Sequence, residues 1–149
     1  GKNSFFAVFF RQKYINRWGL MRNVTSENLS VHASEVASIS HALALIGNTY
    51  FGKAYNADRV AVLALYHDLP EVFTGDLPTP VKYQNKKILA AYKEIEASAT
   101  ERLVSMLPDD LKAEFMSALT GDDDKDLLPL VKAADKLSAL IKCIDEVSL

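Results

Sequence analysis

This sequence contains little cysteine and histidine and has no excess of basic charge. Cys143 is the only cysteine, which excludes an internal disulfide framework and fits a reducing compartment. Lysine and arginine total 17 against 19 acidic residues, so no basic surface for nucleic acid is expected. The apolar run Phe5–Phe10 is too short for a signal-peptide core, and no other run approaches membrane-spanning length. We therefore expect a cytoplasmic protein with neither a membrane nor nucleic acid among its partners.

Strand-like alternation and internal repeats are also missing. With 149 residues, 49% of them hydrophobic, the chain is expected to form one globular domain over residues 1–149. We predict an all-α globule around a central buried helix, because Val60–Leu65 is apolar on every side. Helical spacing places the other helices over 4–15, from Ser26–Ser30 to a stop at Gly47, over about Val81–Leu107, from Pro108 to Leu119, and from near Leu127 onward.

The predicted buried helix ends in the pair His67-Asp68. An imidazole and a carboxylate at that place cost desolvation free energy unless a partner compensates them. One interpretation makes Asp68 the N-cap of a following helix, with Glu71 completing a capping box. The other makes His67 and Asp68 adjacent ligands of one metal ion. The pair alone leaves both interpretations open.

Two more polar residues are predicted to lie near helical apolar faces. His32 lies one turn before Val36 of an apolar stripe, whereas His41 is about 180° around the same helix and points away. Asp135 lies on the flank of the apolar face of the last helix, where a carboxylate is expensive unless it is paired or metal-bound. A structural histidine and an ordinary ion pair with a neighbouring lysine are the alternatives.

Arg17-Trp18 and the run Gly75–Pro80 are candidates for binding. Arginine can hold a phosphate through two hydrogen bonds, and tryptophan offers a flat wall for a sugar or a base. Two prolines and one glycine in six residues make Gly75–Pro80 a stiff loop that can present binding groups. A surface arginine, a half-buried tryptophan and a plain connecting loop are the alternatives.

The order of His32, His67-Asp68 and Asp135 resembles the H…HD…D signature of the HD-domain metal-dependent phosphohydrolases. That signature is moderately specific. Longer runs make the chain similar to the bacterial 5′-deoxynucleotidases of the YfbR type, from the N-terminal phenylalanines to Lys142-Cys143. These runs are Ile15–Trp18, Leu20–Val24, His67-Asp68 with Glu71-Val72, and Thr74–Tyr83, and the combination of Arg17-Trp18 with Gly75–Pro80 is much more specific than the signature.

The resemblance implies an HD fold and hydrolysis of deoxyribonucleoside 5′-monophosphates to deoxyribonucleoside and phosphate. It implies metal ligands at His32, His67, Asp68 and Asp135. It implies catalytic roles for Arg17, Asp68 and Glu71, with Arg17 orienting the phosphate and Glu71 giving acid/base assistance. It implies substrate contacts from Arg17, Trp18, Asp68, Asp76, Leu77, Pro78, Thr79 and Asp135.

We expect one divalent metal ion, Co²⁺, Mn²⁺ or a similar ion. Two histidines and two aspartates form a mixed nitrogen and oxygen donor set, and the absence of thiolate argues against structural zinc. The sequence has three histidines, and His41 is predicted to face away, so a two-metal site that needs extra histidines is not expected.

Two other functions stay open at this point. One is an HD phosphohydrolase acting on another nucleotide phosphoester, such as a cyclic nucleotide or an alarmone; the other is a non-catalytic helical binding module. Exposed aromatic residues and the habit of the family suggest a homodimer. The chain ends soon after Asp135, whereas members of the family carry further helical residues. We therefore expect C-terminal helical residues to be lacking, which concerns the pocket rim and the subunit contacts more than the metal site.

Overall fold

Eight α-helices and one 3₁₀ turn form the secondary structure that the computed structural model describes, over residues 4–20 and 23–148. The described residues contain no strand, only an isolated antiparallel bridge between Asn16 and Asn28. The predicted all-α class is therefore confirmed. Met21 and Arg22, in the quoted Leu20–Val24 run, lie outside the described residues. The elements are α1 Phe5–Phe9, the 3₁₀ turn Phe10–Tyr14, α2 Leu29–Tyr50, α3 Ala57–Tyr66, α4 Glu71–Thr74, α5 Thr79–Lys82, α6 Lys86–Ser105, α7 Asp109–Thr120 and α8 Leu128–Ser148.

The chain is organised in two compact units. The first contains the residues up to Leu29 and Asp68–Met116, and the second contains Ser30–His67 and the residues from Ser117 onward. The expectation of one domain over residues 1–149 stays a prediction.

The core of the second unit is formed by α2, α3 and α8. Val36 of α2, Val60 of α3 and Ala134 of α8 are fully buried in it. Asn56 caps α3 by accepting a hydrogen bond from the Arg59 amide at 3.0 Å, as its side chain type favours. The expectation that this helix is buried on every side is wrong, because Leu65 keeps 39% of its surface exposed. Only the face of α3 that packs on the core is buried.

By length and composition alone, α2 could cross a membrane: it has 22 residues, and an 18-residue stretch of it reaches a mean hydropathy of 1.3. The expectation that no run approaches spanning length is therefore wrong for this helix. A core helix passes the same test, and α2 packs through Val36 and Ala44 into the core of the second unit while burying the polar side chains of His32 and Ser40. We interpret α2 as a core helix.

The predicted helix stop at Gly47 is wrong, because α2 continues to Tyr50. A Cβ atom at Gly47 would lie 2.9 Å from a ring carbon of Tyr55. The glycine therefore allows Tyr55 to pack closely against the helix and does not end it. The chain turns after the helix, at Gly52, whose φ of 64° favours glycine.

The first unit packs α4 and α5 against α6 and surrounds Phe5 with aromatic rings. Ser4 occupies the N-cap position of α1 but makes no side-chain capping bond, and the predicted helix over 4–15 changes to a 3₁₀ turn at Phe10. The helix predicted from Val81 begins later, at Lys86, because Asn85 caps it by accepting from the Ile88 amide at 2.9 Å. The residues before that cap form the separate helix α5.

Candidate metal centre

The two histidines and two aspartates of the H…HD…D pattern lie together. His32 comes from α2, His67 directly follows α3, Asp135 comes from α8, and Asp68 is bonded to His67. One ligand atom from each of these residues lies within 4.8 Å of the others. Ligand atoms on opposite sides of a divalent ion, each at about 2.1 Å, are separated by about 4.2 Å. The separations in these four residues, called the His/Asp group below, exceed that value by at most about 0.6 Å, so the group could hold one metal ion after a small movement of the side chains.

Hydrogen bonding determines which nitrogen of His67 faces this group. Its Nδ1 lies 2.5 Å from the backbone carbonyl oxygen of Ala64. Because a carbonyl oxygen only accepts, Nδ1 carries a proton, and Nε2 is the nitrogen left to face the group. That Nε2 lies 3.4 Å from Asp135 Oδ1, and Nε2 of His32 lies 2.6 Å from the same oxygen. Imidazole nitrogens and carboxylate oxygens that converge in this way are typical ligands of divalent metals.

Asp135 is held in its ionised form. Burial alone would raise the pKa of this carboxyl, but hydrogen bonds with His32 and His67 and the charges of these rings lower the pKa well below its ordinary range. The structure pairs Asp135 with two imidazoles instead of the lysine that the alternative interpretation supposed. An ionised carboxylate is the form that a metal ion needs.

The capping-box interpretation of Asp68 is wrong. Helix α4 begins at Glu71, and its N-cap position is Pro70, which makes no side-chain capping bond. Asp68 supports this turn through its backbone carbonyl, which accepts from the Glu71 amide at 2.9 Å. The side chain of Asp68 belongs instead to the His/Asp group.

Glu71 is a buried carboxyl group with an unusual acidity. It is 7% exposed, and its Oε2 has no hydrogen-bond partner within residues 4–20 and 23–148. Burial raises the pKa of Glu71 to about 9, and the negative charges of Asp68 and Asp76 contribute, against the opposing effect of Lys82 and Arg17. Glu71 is therefore protonated at neutral pH, which is the state a general acid needs.

The pKa of Glu71 predicts a pH dependence of stability. Since it is raised from 4.5 to about 9 on folding, the native state binds the proton more tightly, and stability falls as pH rises through this window. Replacing Glu71 with glutamine should remove that fall. The slopes of the unfolding free energy against pH should then differ between wild type and variant by at most about 1.4 kcal/mol per pH unit. Urea unfolding at pH 5 to 9 with chelator present would measure it. Glu94→Gln, at an exposed position of α6, is the control, and parallel profiles of wild type and Glu71→Gln would contradict the prediction.

Arg17 is fixed by Glu27, a residue that the sequence did not single out. Arg17 Nε donates to Glu27 Oε1 at 2.7 Å, and the Arg17 amide donates to the Glu27 carbonyl at 2.8 Å. The guanidinium carbon lies 5.4 Å from the centre of the Trp18 ring, within cation–π distance. Arg17 therefore has a fixed orientation instead of extending freely into solvent.

Trp18 has a strained backbone. Its φ of 65° is the only positive value at a non-glycine position among the described residues, and a bulky residue rarely adopts it. Its indole nitrogen is buried without a hydrogen-bond partner in the described part of the chain. Such strain persists where surrounding contacts enforce it, often at ligand sites.

The loop after α4 is placed beside Glu71. Gly75 ends α4 with a φ of 75°, and Asp76 is close enough for its charge to raise the Glu71 pKa. Leu77 and Pro78 are half-buried, as is Asp76. Thr79 is exposed and starts α5, so the predicted non-helical loop is shorter than expected.

Two further polar residues lie beside His32, and their helical spacing from His32 and Asp135 indicates it. Glu35 lies three positions after His32 on α2, and Ser138 lies three positions after Asp135 on α8, a spacing that makes side chains neighbours on a helix. The Ser138 hydroxyl lies 3.3 Å from His32 Nδ1 and donates to Glu35 Oε2 at 3.2 Å.

Known proteins similar to this chain agree with its fold and motifs. The family model described as 5′-deoxynucleotidase YfbR-like matches residues 4–149. A 5′-deoxynucleotidase of Vibrio vulnificus is 50% identical over 148 residues, which cover 99% of this chain and 76% of that protein. An HD-domain phosphohydrolase of Listeria innocua matches with a TM-score of 0.85 and 24% identity, over 96% of this chain and 68% of that one.

A third match is a cyanophage S-2L HD phosphohydrolase, whose structure is bound to dA and one catalytic Zn²⁺ ion. It has a TM-score of 0.64 and 23% identity, and the match covers 89% of this chain and 66% of that one. At this identity the likeness shows a common HD fold. Together with the His/Asp group, the family match over nearly all of the sequence establishes that this chain belongs to the YfbR-like 5′-deoxynucleotidase family.

Proposed function

We propose that this chain is a metal-dependent 5′-deoxynucleotidase, which hydrolyses deoxyribonucleoside 5′-monophosphates to deoxyribonucleosides and phosphate. The observation that carries the proposal is the His/Asp group in a member of this family. A relative half identical in sequence bears the name of this activity, and a structural neighbour is bound to dA. The activity class is that of a phosphomonoesterase.

His32, His67, Asp68 and Asp135 would hold one divalent ion, Co²⁺, Mn²⁺ or a similar ion. Zn²⁺ is a further candidate, since the cyanophage neighbour holds one catalytic Zn²⁺ ion. When bound, the ion supplies charge neutralisation for the phosphate and lowers the pKa of the attacking water. Asp68 and Asp135 would also orient that water.

Hydrolysis forms a bond between the water oxygen and phosphorus and breaks the bond between phosphorus and O5′. The electron pair of the broken bond stays on O5′, which then needs a proton because a sugar alkoxide is a poor leaving group. Glu71 is protonated at neutral pH and would supply that proton. The attacking water would keep one proton on the phosphate and release the other, which restores the Glu71 carboxyl group. Arg17, whose guanidinium Glu27 fixes, would orient the phosphate. Positioning and charge stabilisation account for most of such a reaction.

The sugar would be recognised by Trp18, Asp76, Leu77, Pro78 and Thr79. A bulky indole near C2′ would exclude a hydroxyl group, and the Asp76 carboxylate would accept a hydrogen bond from the 3′-hydroxyl. Base identity should matter little, because the sequence shows no set of side chains suited to reading base edges.

Phosphate release from dAMP and AMP, with and without Co²⁺ or Mn²⁺, tests this function. We expect release from dAMP that depends on the metal and much slower release from AMP. Equal rates on the two substrates would remove the deoxy preference. No release from either would contradict the phosphatase, and hydrolysis of a cyclic nucleotide or an alarmone instead would favour the other HD reaction.

Replacing Trp18 with alanine should reduce the preference for dAMP over AMP. A pocket that excludes an added hydroxyl by shape discriminates by about 10² at most, so we expect the ratio of kcat/KM values to fall by about 10- to 100-fold. The change should come mainly from faster hydrolysis of AMP. Tyr14→Ala, an exposed aromatic residue nearby in sequence, is the control. An unchanged ratio in Trp18→Ala would exclude this role.

Assembly and location are part of the same proposal. A homodimer is supported by exposed apolar side chains such as Phe6 and Phe10, and a cytoplasmic location by the single free Cys143. The absence of nucleic acid and of a membrane among the partners also stays a prediction.

A further inference from the structure

His32 is held by a side chain on another helix. Its Nδ1 lies 3.3 Å from the hydroxyl oxygen of Ser138, and that hydroxyl donates to Glu35 Oε2 at 3.2 Å. Glu35 is on α2 with His32, whereas Ser138 is on α8 with Asp135. His32, Ser138 and Glu35 therefore connect α2 and α8 next to the His/Asp group.

The chemistry of the three groups determines where the protons lie. A carboxylate oxygen only accepts, so the single hydroxyl proton of Ser138 points to Glu35. The Ser138 oxygen must then accept from His32, which places the ring proton on Nδ1. Nε2 is therefore the nitrogen that faces the His/Asp group, 2.6 Å from Asp135 Oδ1, and its lone pair becomes available to a metal ion once the proton that it shares with Asp135 is lost.

The two histidines of the group are oriented by different means. The Nδ1 proton of His67 is donated to the backbone carbonyl of Ala64, which no substitution of a side chain removes. The Nδ1 proton of His32 is donated instead to a side-chain hydroxyl, that of Ser138. His32 is fully buried and Ser138 is 2% exposed, so water cannot easily replace that hydroxyl.

We propose that Ser138 and Glu35 are positioning residues that hold His32 in the tautomer and orientation needed to bind the metal ion. This inference rests on the proposed function and adds two residues to its metal centre. Histidine ligands of metals usually donate their other ring nitrogen to such a partner, and loss of the partner weakens metal affinity by about 10- to 100-fold. Ser138 acts on His32 directly, and Glu35 acts only through Ser138.

Titration of metal-free protein with Co²⁺, followed by the visible absorption of the bound ion, measures this role without an activity assay. We expect Ser138→Ala to bind Co²⁺ about tenfold or more weakly than wild type. Ser138→Thr, which keeps a hydroxyl, should restore most of the affinity. Glu35 is exposed, so Glu35→Ala should fold normally and lose less, about three- to fivefold.

Two comparisons separate positioning from a general loss of stability. Ser40 is a fully buried serine whose hydroxyl has no partner in the described part of the chain, so Ser40→Ala should leave Co²⁺ affinity unchanged. The double variant Glu35→Ala/Ser138→Ala should bind no more weakly than Ser138→Ala, because Glu35 acts through the missing hydroxyl.

Equal Co²⁺ affinity in Ser138→Ala and Ser40→Ala would overturn the inference, as would additive losses in the double variant. The wild-type titration tests the proposed function separately. A wild-type protein that binds no Co²⁺, Mn²⁺ or Zn²⁺ would contradict both proposals, whereas wild-type binding with unchanged affinity in Ser138→Ala would overturn the positioning role alone.

Discussion

Replacing Asp135 with asparagine is expected to lower kcat/KM for dAMP by about 10³-fold or more. Asp135 Oδ1 is the atom on which both imidazoles of the His/Asp group converge, at 2.6 and 3.4 Å. An asparagine oxygen carries no full negative charge, so the site loses a charged ligand while the side-chain volume stays nearly the same. A metal ion contributes several kcal/mol to such a transition state, and about 4 kcal/mol corresponds to about 10³-fold in rate.

The fold should survive this substitution, because Asp135 is half-buried and the apolar face of α8 is unchanged. Asp145→Asn is the matched control, since it makes the same chemical change at an exposed position of the same helix. Circular dichroism would check the helical content of both variants. Full activity in a folded Asp135→Asn protein would show that Asp135 is not a ligand of the working metal.

Replacing Glu71 with glutamine is expected to lower kcat for dAMP by about 10²- to 10⁴-fold. Glutamine has the shape of the protonated carboxyl group but cannot release a proton to O5′. Binding should change little, so KM should stay within a small factor of the wild-type value. Glu71→Gln is thus expected to lower the rate but to raise the unfolding free energy at high pH, because it removes a buried group that would have to ionise there.

The pH profile distinguishes an acid from a residue that merely packs. Because Glu71 must be protonated to act, wild-type activity should fall as pH rises and this carboxyl ionises, whereas the residual activity of Glu71→Gln should lack that fall. The profiles should be compared at saturating metal, with Glu94→Gln as the control. The same alkaline fall in Glu71→Gln and wild type would assign the fall to another group.

The grouping of the four side chains of the His/Asp group was predictable, because their order resembles the H…HD…D signature and helical periodicity turns His32 inward. His32 is buried as its position one turn before Val36 requires, and His41 is half-exposed beside Asp58. Local chemistry also accounts for the Asn56 cap of α3. These features depend on residues close together in sequence or on a motif whose order is distinctive.

Features that depend on tertiary contacts were not predictable in the same way. Glycine is typical of helix ends, but Gly47 lies inside α2, where the absence of a side chain makes room for the ring of Tyr55. The capping pattern at Asp68 and Glu71 fits a helix start, but Glu71 begins the helix itself, and its carboxyl is buried. Ser138 and Glu35 meet only because α2 and α8 are brought together, 103 positions apart in sequence.

Elemental analysis of the purified protein, before and after chelation, tests most directly whether His32, His67, Asp68 and Asp135 bind one catalytic metal ion. The hydrolysis of dAMP is measured on the same samples. We expect about one equivalent of a divalent transition metal, loss of the metal and of activity together on chelation, and recovery of both on adding Co²⁺ or Mn²⁺. Protein that hydrolyses dAMP at full rate without bound metal, or that holds two equivalents, would contradict the claim.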